Sequence, residues 1–256
     1  MAEVLSKHID QTDAYLAGHW RSSFPQSLMW CNFDKFGVKY HSSKEYVAPS
    51  WSWASVRGEV LFELTVDEDV DFTIIDCRVQ VTDPIMAPFG SVSSGCLHIR
   101  AKIIWGNATY SEEENEFQGI IRRNHIHIPL NSLPARLNRD GPFLPSYLPD
   151  GRMEETTDGT MEDPEPVLVV VMSMPTDSYP EMKGMVVKEA GDGLYRRVGW
   201  VDNLEFIYKR AWAATKYMYE CPESDGLKDR PLDMELVKKT RETWYNIFEV
   251  RKLKII

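Results

Sequence analysis

The sequence predicts a mainly β fold of the α+β class: a barrel or sandwich-like β body with helices at its N-terminus and two more helices towards its C-terminus. Three observations predict it. Leu97, Ile99, Ala101 and Ile103 alternate with His98, Arg100 and Lys102, the pattern of a half-buried strand. Val167 to Met174 is a continuous Val-rich run suited to a strand covered on both sides. Gly184 to Glu189 and Leu194 to Val201 flank Ala190-Gly191-Asp192-Gly193, whose glycines permit the positive φ of a tight hairpin. With 256 residues, 43% of them hydrophobic and 27% charged, a chain of this kind buries about 70–75% of the surface it exposes when unfolded. We read one β-rich domain over 1–256, with a helical, Trp-bearing segment over 1–55, a long Pro-rich acidic loop over 131–166 and a helical segment over 203–245.

From the N-terminus, Val4, Leu5, Ile9 and Leu16 fall near helical spacing, which predicts a helix running to Trp20 with a break near Gly18. Pro25 suits the first position of a second short helical turn carrying Leu28, Met29 and Trp30. Cys31 to Ala48 reads as a surface loop. Trp51 and Trp53, two residues apart in Ser50 to Ser55, share one face if that segment is extended. Glu59 to Leu64 and Phe72 to Val81 are strands by their period of two, and Gly119 to Ile128 is a strand expected to pair with the one before it. Residues 131–166 hold six of the 15 prolines and the acidic stretch Met153 to Glu165, which cannot sustain a ladder. Asp202 with Glu205 resembles a capping box opening a helix to about Tyr219; Pro231 opens another to Tyr245, and Phe248 to Ile256 alternates as a terminal strand.

Charge excludes some functions. The 29 Lys and Arg against 39 Asp and Glu give a net charge of −10, with no basic run, so nucleic acid and anionic lipid are poor partners. The longest apolar run, Val167 to Met172, is far short of the ~20 residues that span a bilayer, and Met1 to Gln11 lacks a secretory apolar core. The expectation is therefore no membrane span and a cytoplasmic setting. The four cysteines, Cys31, Cys77, Cys96 and Cys221, are too scattered for a zinc or redox pair and read as reduced packing residues.

Motifs of established chemistry are sparse. His125-Ile126-His127 places two imidazoles on one strand face, as β-sheet metal sites do, but no third ligand is in view and a polar strand face is the plainer reading. Asp67-Glu68-Asp69-Val70-Asp71 lacks the glycine and distal glutamate of a calcium loop and reads as a charged turn. No nucleophile elbow, phosphate loop, dinucleotide fingerprint or zinc-protease motif occurs, so no catalytic residue, metal or cofactor is assigned. Aromatic content stands out, with 8 Trp, 11 Tyr and 11 Met. Trp20, Trp30, Trp51 and Trp53 either fasten the N-terminal segment to the sheet or wall a pocket for an apolar small molecule, to which Met29, Met172, Met174 and Met185 could adapt.

Tyr15-Leu16-Ala17-Gly18-His19-Trp20, Pro25-Gln26-Ser27-Leu28-Met29-Trp30 and Ala48-Pro49-Ser50-Trp51-Ser52-Trp53-Ala54-Ser55 with Gly58 resemble the Trp motifs that close the domain of fungal heterokaryon-incompatibility (HET) proteins. His19 stands where that pattern usually has leucine. Pro88 to Gly95, Tyr195-Arg196-Arg197-Val198-Gly199 and the terminal strand resemble the family's β-rich C-terminal region. The resemblance implies a fungal origin, a β-rich fold and an intracellular setting. The family's N-terminal, TIR-like half would carry any nucleotide-cleaving activity; this chain begins just before the Trp motifs, so no catalytic residue carries over. Two functions fit. One is a cofactor-free cyclase of fungal specialised metabolism, Diels–Alder in type, that confines a terpenoid or polyketide intermediate between the four tryptophans. The other is an interaction module that modulates heterokaryon incompatibility by pairing with a HET protein.

Overall fold

The computed structural model of the chain describes residues 2–8, 10, 12–32, 46–62, 72–115, 119–127, 148–149, 165–173, 183–201 and 248–256. Over these residues the fold is mainly β, and no helix is long and apolar enough to cross a membrane. The expected helices over 203–245, the acidic turn Asp67 to Asp71, Met174 and most of the 131–166 loop lie outside the described residues, while Leu148–Pro149 and Glu165 with Pro166, expected in that loop, are corrected to strand.

The expected N-terminal helix is corrected. Among the described residues up to Trp20 only α1, Ala2–Leu5, is helical; β1, Tyr15–Leu16, and β2, His19–Trp20, then form an antiparallel hairpin. Ala17 and Gly18 both take left-handed φ, 49° and 99°, which a helix cannot continue and a two-residue hairpin turn requires. Asp13 fixes the hairpin's base: its Oδ1 accepts from the Ala14 and Ser22 amides, and its Oδ2 from the Ser22 hydroxyl at 2.5 Å. These bonds hold the Asp13 carboxyl below its ordinary pKa against the cost of its desolvation. Pro25 does precede a helical turn, of the tighter 3-10 kind, over Gln26–Leu28, but of the three residues expected on it only Leu28 is there: Met29 caps it and Trp30 starts a strand. Cys31 and Asn32, expected in a loop, belong to β3, Trp30–Asn32, which pairs antiparallel with β4, Val60–Phe62. Trp51 and Trp53 do not share a face. Ser52 Oγ accepts from the Ala54 amide and caps a 3-10 turn over Trp53–Ser55, so Trp51 points into the core and Trp53 stays 36% exposed.

The main sheet follows the alternating segments. Its strands are β5, Phe72–Val81; β6, Val92–Asn115; β7, Gly119–His127; β8, Leu148–Pro149; β9, Glu165–Ser173; β10, Lys183–Gly191; β11, Leu194–Val201; and β12, Glu249–Ile255. β7 pairs with β6, as expected, and the β10–β11 hairpin turns through Asp192 at φ 53° between two left-handed glycines. β6 also pairs with β5, β9 and β12; β9 with β10; and β11 with β10, β8 and, in parallel, β12. The pairings thus run in a circuit, β6 to β9 to β10 to β11 to β12 and back to β6.

Register stacks the core across this circuit. Ile103 lies opposite Val170, Val170 opposite Met185 and Met185 opposite Trp200, while Ile99 faces Leu253 and Leu97 faces Ile255. All of these are buried in one cluster, and Leu16, Ala17, Leu28, Met29 and Trp51 of the N-terminal segment complete it. Val167, Val169 and Val171 are buried too, so β9 is a strand covered on both faces, as its composition predicts. Cys77 sits in the same cluster, its thiol pushed up to about 12 chiefly by burial.

Close packing at the β9–β10 crossing yields a stability prediction. A Cβ on Gly184 would meet the Val170 carbonyl oxygen at 2.7 Å, whereas one on Gly191 would meet nothing within 4 Å but would sit at φ +94°. Gly184→Ala is expected to lower the unfolding free energy by about 1–3 kcal/mol through overpacking, and Gly191→Ala by about 1 kcal/mol through backbone strain alone. Urea midpoints of the two variants measure the difference.

Candidate functional site

Strict alternation along β11 would put Arg197 on one face and Trp200 on the other. A bulge between Val186 and Val187 changes this: Val186 pairs with Gly199, but Val187 pairs with Arg197, so Val198 is the extra residue. Trp200, Arg197 and the part-buried Tyr195 therefore share the core face. Arg197 is 2% exposed.

Its guanidinium lies over Trp30, with Cζ 3.5 Å from the ring centroid, and 5.8 Å from that of Trp200. Nη1 donates to the Leu28 carbonyl at 2.9 Å, and Nη2 donates to the Trp30 carbonyl. The Arg197 amide donates to Ser50 Oγ at 2.9 Å, and the Ser50 hydroxyl donates to the Ile256 carbonyl. One side chain so joins the 3-10 turn before β3, β3 itself, and β11, while its backbone reaches the Trp51 segment and the C-terminus. Trp30 Nε1 closes the ring of contacts by donating to the Trp51 carbonyl at 3.1 Å.

On β2, the His19 imidazole sits 5.5 Å from the Phe24 ring and 5.7 Å from that of Trp51. Burial, then the positive charge of Arg197, lowers its pKa from 6.5 to about 3. His19 is therefore neutral at any physiological pH, with one N–H and one bare nitrogen. Among the described residues neither nitrogen has a hydrogen-bond partner, and the same holds for the buried Trp51 Nε1, Trp200 Nε1 and Asn32 Oδ1. A buried polar atom without a partner costs about 1–3 kcal/mol. His19, Trp51 and Trp200 lie around the single centre made by Arg197 and Trp30.

The four tryptophans read as ligand-binding from the sequence occupy three places. Trp30 and Trp51 are fully buried in the centre just described. Trp20 instead packs against Tyr15 at 5.3 Å and Phe89 at 6.1 Å, next to the β5–β6 connection. Trp53 lies on the hairpin turn, its Nε1 donating to the Gly18 carbonyl at 2.9 Å. Met29, Met172 and Met185 are in the core cluster. Sequence reading missed Arg197, Trp200 and His19 as partners of Trp30 and Trp51; period two along β11 hides the first two, because the bulge has no residue signature. His125 and His127 stand opposite Thr109 and Asn107 on β7, and among the described residues no group of three metal-ligating side chains comes together.

Electrostatics gives two predictions. As pH falls below about 6.5 the unfolded chain takes up a proton on His19 that the folded chain refuses until about pH 3. Stability is thus complete above the ordinary histidine pKa and falls on acidification, at up to about 1.4 kcal/mol per pH unit. Urea titrations between pH 7 and pH 4 should show His19→Leu flattening this limb. Arg197→Met leaves the Leu28 and Trp30 carbonyls without these donors and should cost about 2–6 kcal/mol, while raising the pKa of His19, read by NMR.

Compared with protein-family models, curated proteins and solved structures, the chain matches none.

Proposed function

We propose that the chain binds an apolar small molecule at the His19, Trp51 and Trp200 centre and acts as a cofactor-free cyclase, Diels–Alder in type, on a terpenoid or polyketide intermediate of fungal specialised metabolism. One observation carries the reading: four hydrogen-bonding atoms, two on His19 and one on each indole, are buried without partners among the described residues, on side chains that adjoin one aromatic centre. Their inventory defines the complement. Two indole N–H groups and one imidazole N–H ask for acceptors, and the bare imidazole nitrogen asks for a donor, which a hydroxy-carbonyl compound supplies. An uncharged ligand also avoids the cost of burying an ion.

Chemistry follows from the same residues. An imidazole with a pKa of about 3 is too weak a base to take a proton near neutrality, so His19 orients and polarises and does not transfer protons. Hydrogen bonds from the indoles to a carbonyl draw electron density from a conjugated system, and confinement among the rings holds the reacting ends together. Because Trp51 and Trp200 are fully buried, the ligand enters when the hairpin and 3-10 turns over 12–32 lift from the sheet. In this proposal the strand circuit is a small barrel, the Trp motifs mark kinship with HET proteins, and the protein works in the cytoplasm.

A second reading keeps the protein as a HET-derived interaction module. Leu61 and Phe62 favour it, exposed at 42% and 44% on β4, whose described pairing is to β3 alone. Under this reading a HET protein is recovered with the chain from fungal extract, and the metabolite profile is indifferent to it.

Mass spectrometry of the source organism with and without the gene separates the two. The cyclase reading expects one metabolite to vanish and an isomer of identical mass to accumulate; an unchanged profile sinks it. Trp51→Phe and Trp200→Phe refine the test. Each removes a buried N–H without a described partner but also leaves a cavity, so the cyclase reading expects turnover to fall at least about tenfold while the two opposed effects on stability, about 1–3 kcal/mol each, largely offset. Unchanged turnover in both variants would remove the indoles from the site.

A further inference from the structure

The connection between β5 and β6 carries the two most exposed large apolar side chains among the described residues, Ile85 at 87% and Met86 at 82%. It is a built loop. Asp83 Oδ1 accepts from the Ile85 amide at 3.2 Å and the Met86 amide at 2.9 Å. The Ala87 amide donates to the Asp83 carbonyl, the Gly90 amide to the Ala87 carbonyl, and the Thr82 amide to the Ser91 carbonyl. Phe89 folds back at 5.3 Å from Tyr15 and 6.1 Å from Trp20, fixing the loop to the β1–β2 hairpin. From Pro84 to Leu97 there is no charged side chain, in a chain that is 27% charged.

We propose that Ile85 and Met86 form an insertion tip that docks the protein on an uncharged lipid surface, the interface of a zwitterionic bilayer. Three features select that occupant. The Ile85, Met86 and Ala87 amides at the tip are satisfied within the loop, so entering the interface leaves these donors paired. Two protruding side chains offer roughly 200 Å² of apolar surface, far below the ~800 Å² per partner that a stable protein interface buries, yet enough for weak, reversible partitioning into lipid. The net charge of −10 repels anionic headgroups, which leaves neutral ones. This inference stands apart from the cyclase reading, and either can fail alone.

The test is sedimentation of the full chain with phosphatidylcholine vesicles, against the double variant Ile85→Ser/Met86→Ser. Expected is measurable partitioning that falls about tenfold for each side chain removed, roughly a hundredfold in the double variant. Replacing part of the phosphatidylcholine with phosphatidylserine should weaken it further, and the thermal midpoint should be unchanged because neither side chain packs against the fold. Wild-type protein remaining in the supernatant at millimolar lipid, a double variant that binds like wild type, or binding strengthened by phosphatidylserine would each overturn the proposal. So would self-association on gel filtration that the double variant abolishes, since the tip would then join two copies of the chain.

Discussion

The structure depends on the burial of the Arg197 guanidinium beneath Trp30. A cation removed from water is tolerable only where acceptors and rings replace its hydration, and here two main-chain carbonyls and an indole face do so. That requirement runs outward through the fold. Leu28 must end its 3-10 turn with its carbonyl towards the sheet, β3 must start at Trp30, and β11 must bulge so that arginine faces inward. Ser50 and the C-terminal Ile256 are drawn into the same network through the Arg197 amide. Lysine could not substitute, because the contact uses a planar fork lying on a ring and bonding two acceptors at once.

The same cation sets the electrostatics of its surroundings. It reinforces the burial that keeps His19 neutral, so an uncharged but polar ring sits between Phe24 and Trp51. The centre therefore combines tight packing with buried hydrogen-bonding atoms that have no partner. Apolar residues of similar shape would be more stable at these positions, since each such atom carries a desolvation cost. Sequences accept local costs of this kind mainly where a site is needed, which is why the proposed ligand is placed here and not along the better satisfied hairpin of β1 and β2.

Most of the sheet was legible in the sequence, and the reason is periodicity. β5, the inner part of β6, β9, the β10–β11 hairpin and β12 were set by period-two alternation, a Val-rich run, or glycines at a turn, each a direct image of the backbone. The N-terminal segment was not. Leu16 and Leu5 fit a helical spacing by coincidence, while Asp13 and the Ala17-Gly18 turn, which decide the hairpin, act through short-range bonds that an apolar pattern does not display. Trp51 and Trp53 diverge for the same kind of reason: a shared face needs an extended segment, and the Ser52 cap makes it a 3-10 turn. Of the four tryptophans chosen from the sequence, the two at the buried centre were found by their bulk; their partners were hidden by a bulge that inverts facing without altering composition.

This division also narrows the chemistry the centre can perform. A catalyst that moves protons needs a group whose pKa lies near the working pH, and His19 is held far below it by its burial and by a cation that the fold cannot remove. Titrating His19 back into range would require opening the core or losing Arg197, and either would detach the segment that carries Trp30 and Trp51. The feature that stabilises the attachment is thus the feature that forbids acid–base work at this imidazole. What is left to such a centre is shape, fixed hydrogen bonds and a low dielectric, the means by which a reaction that exchanges neither protons nor electrons with its catalyst is accelerated.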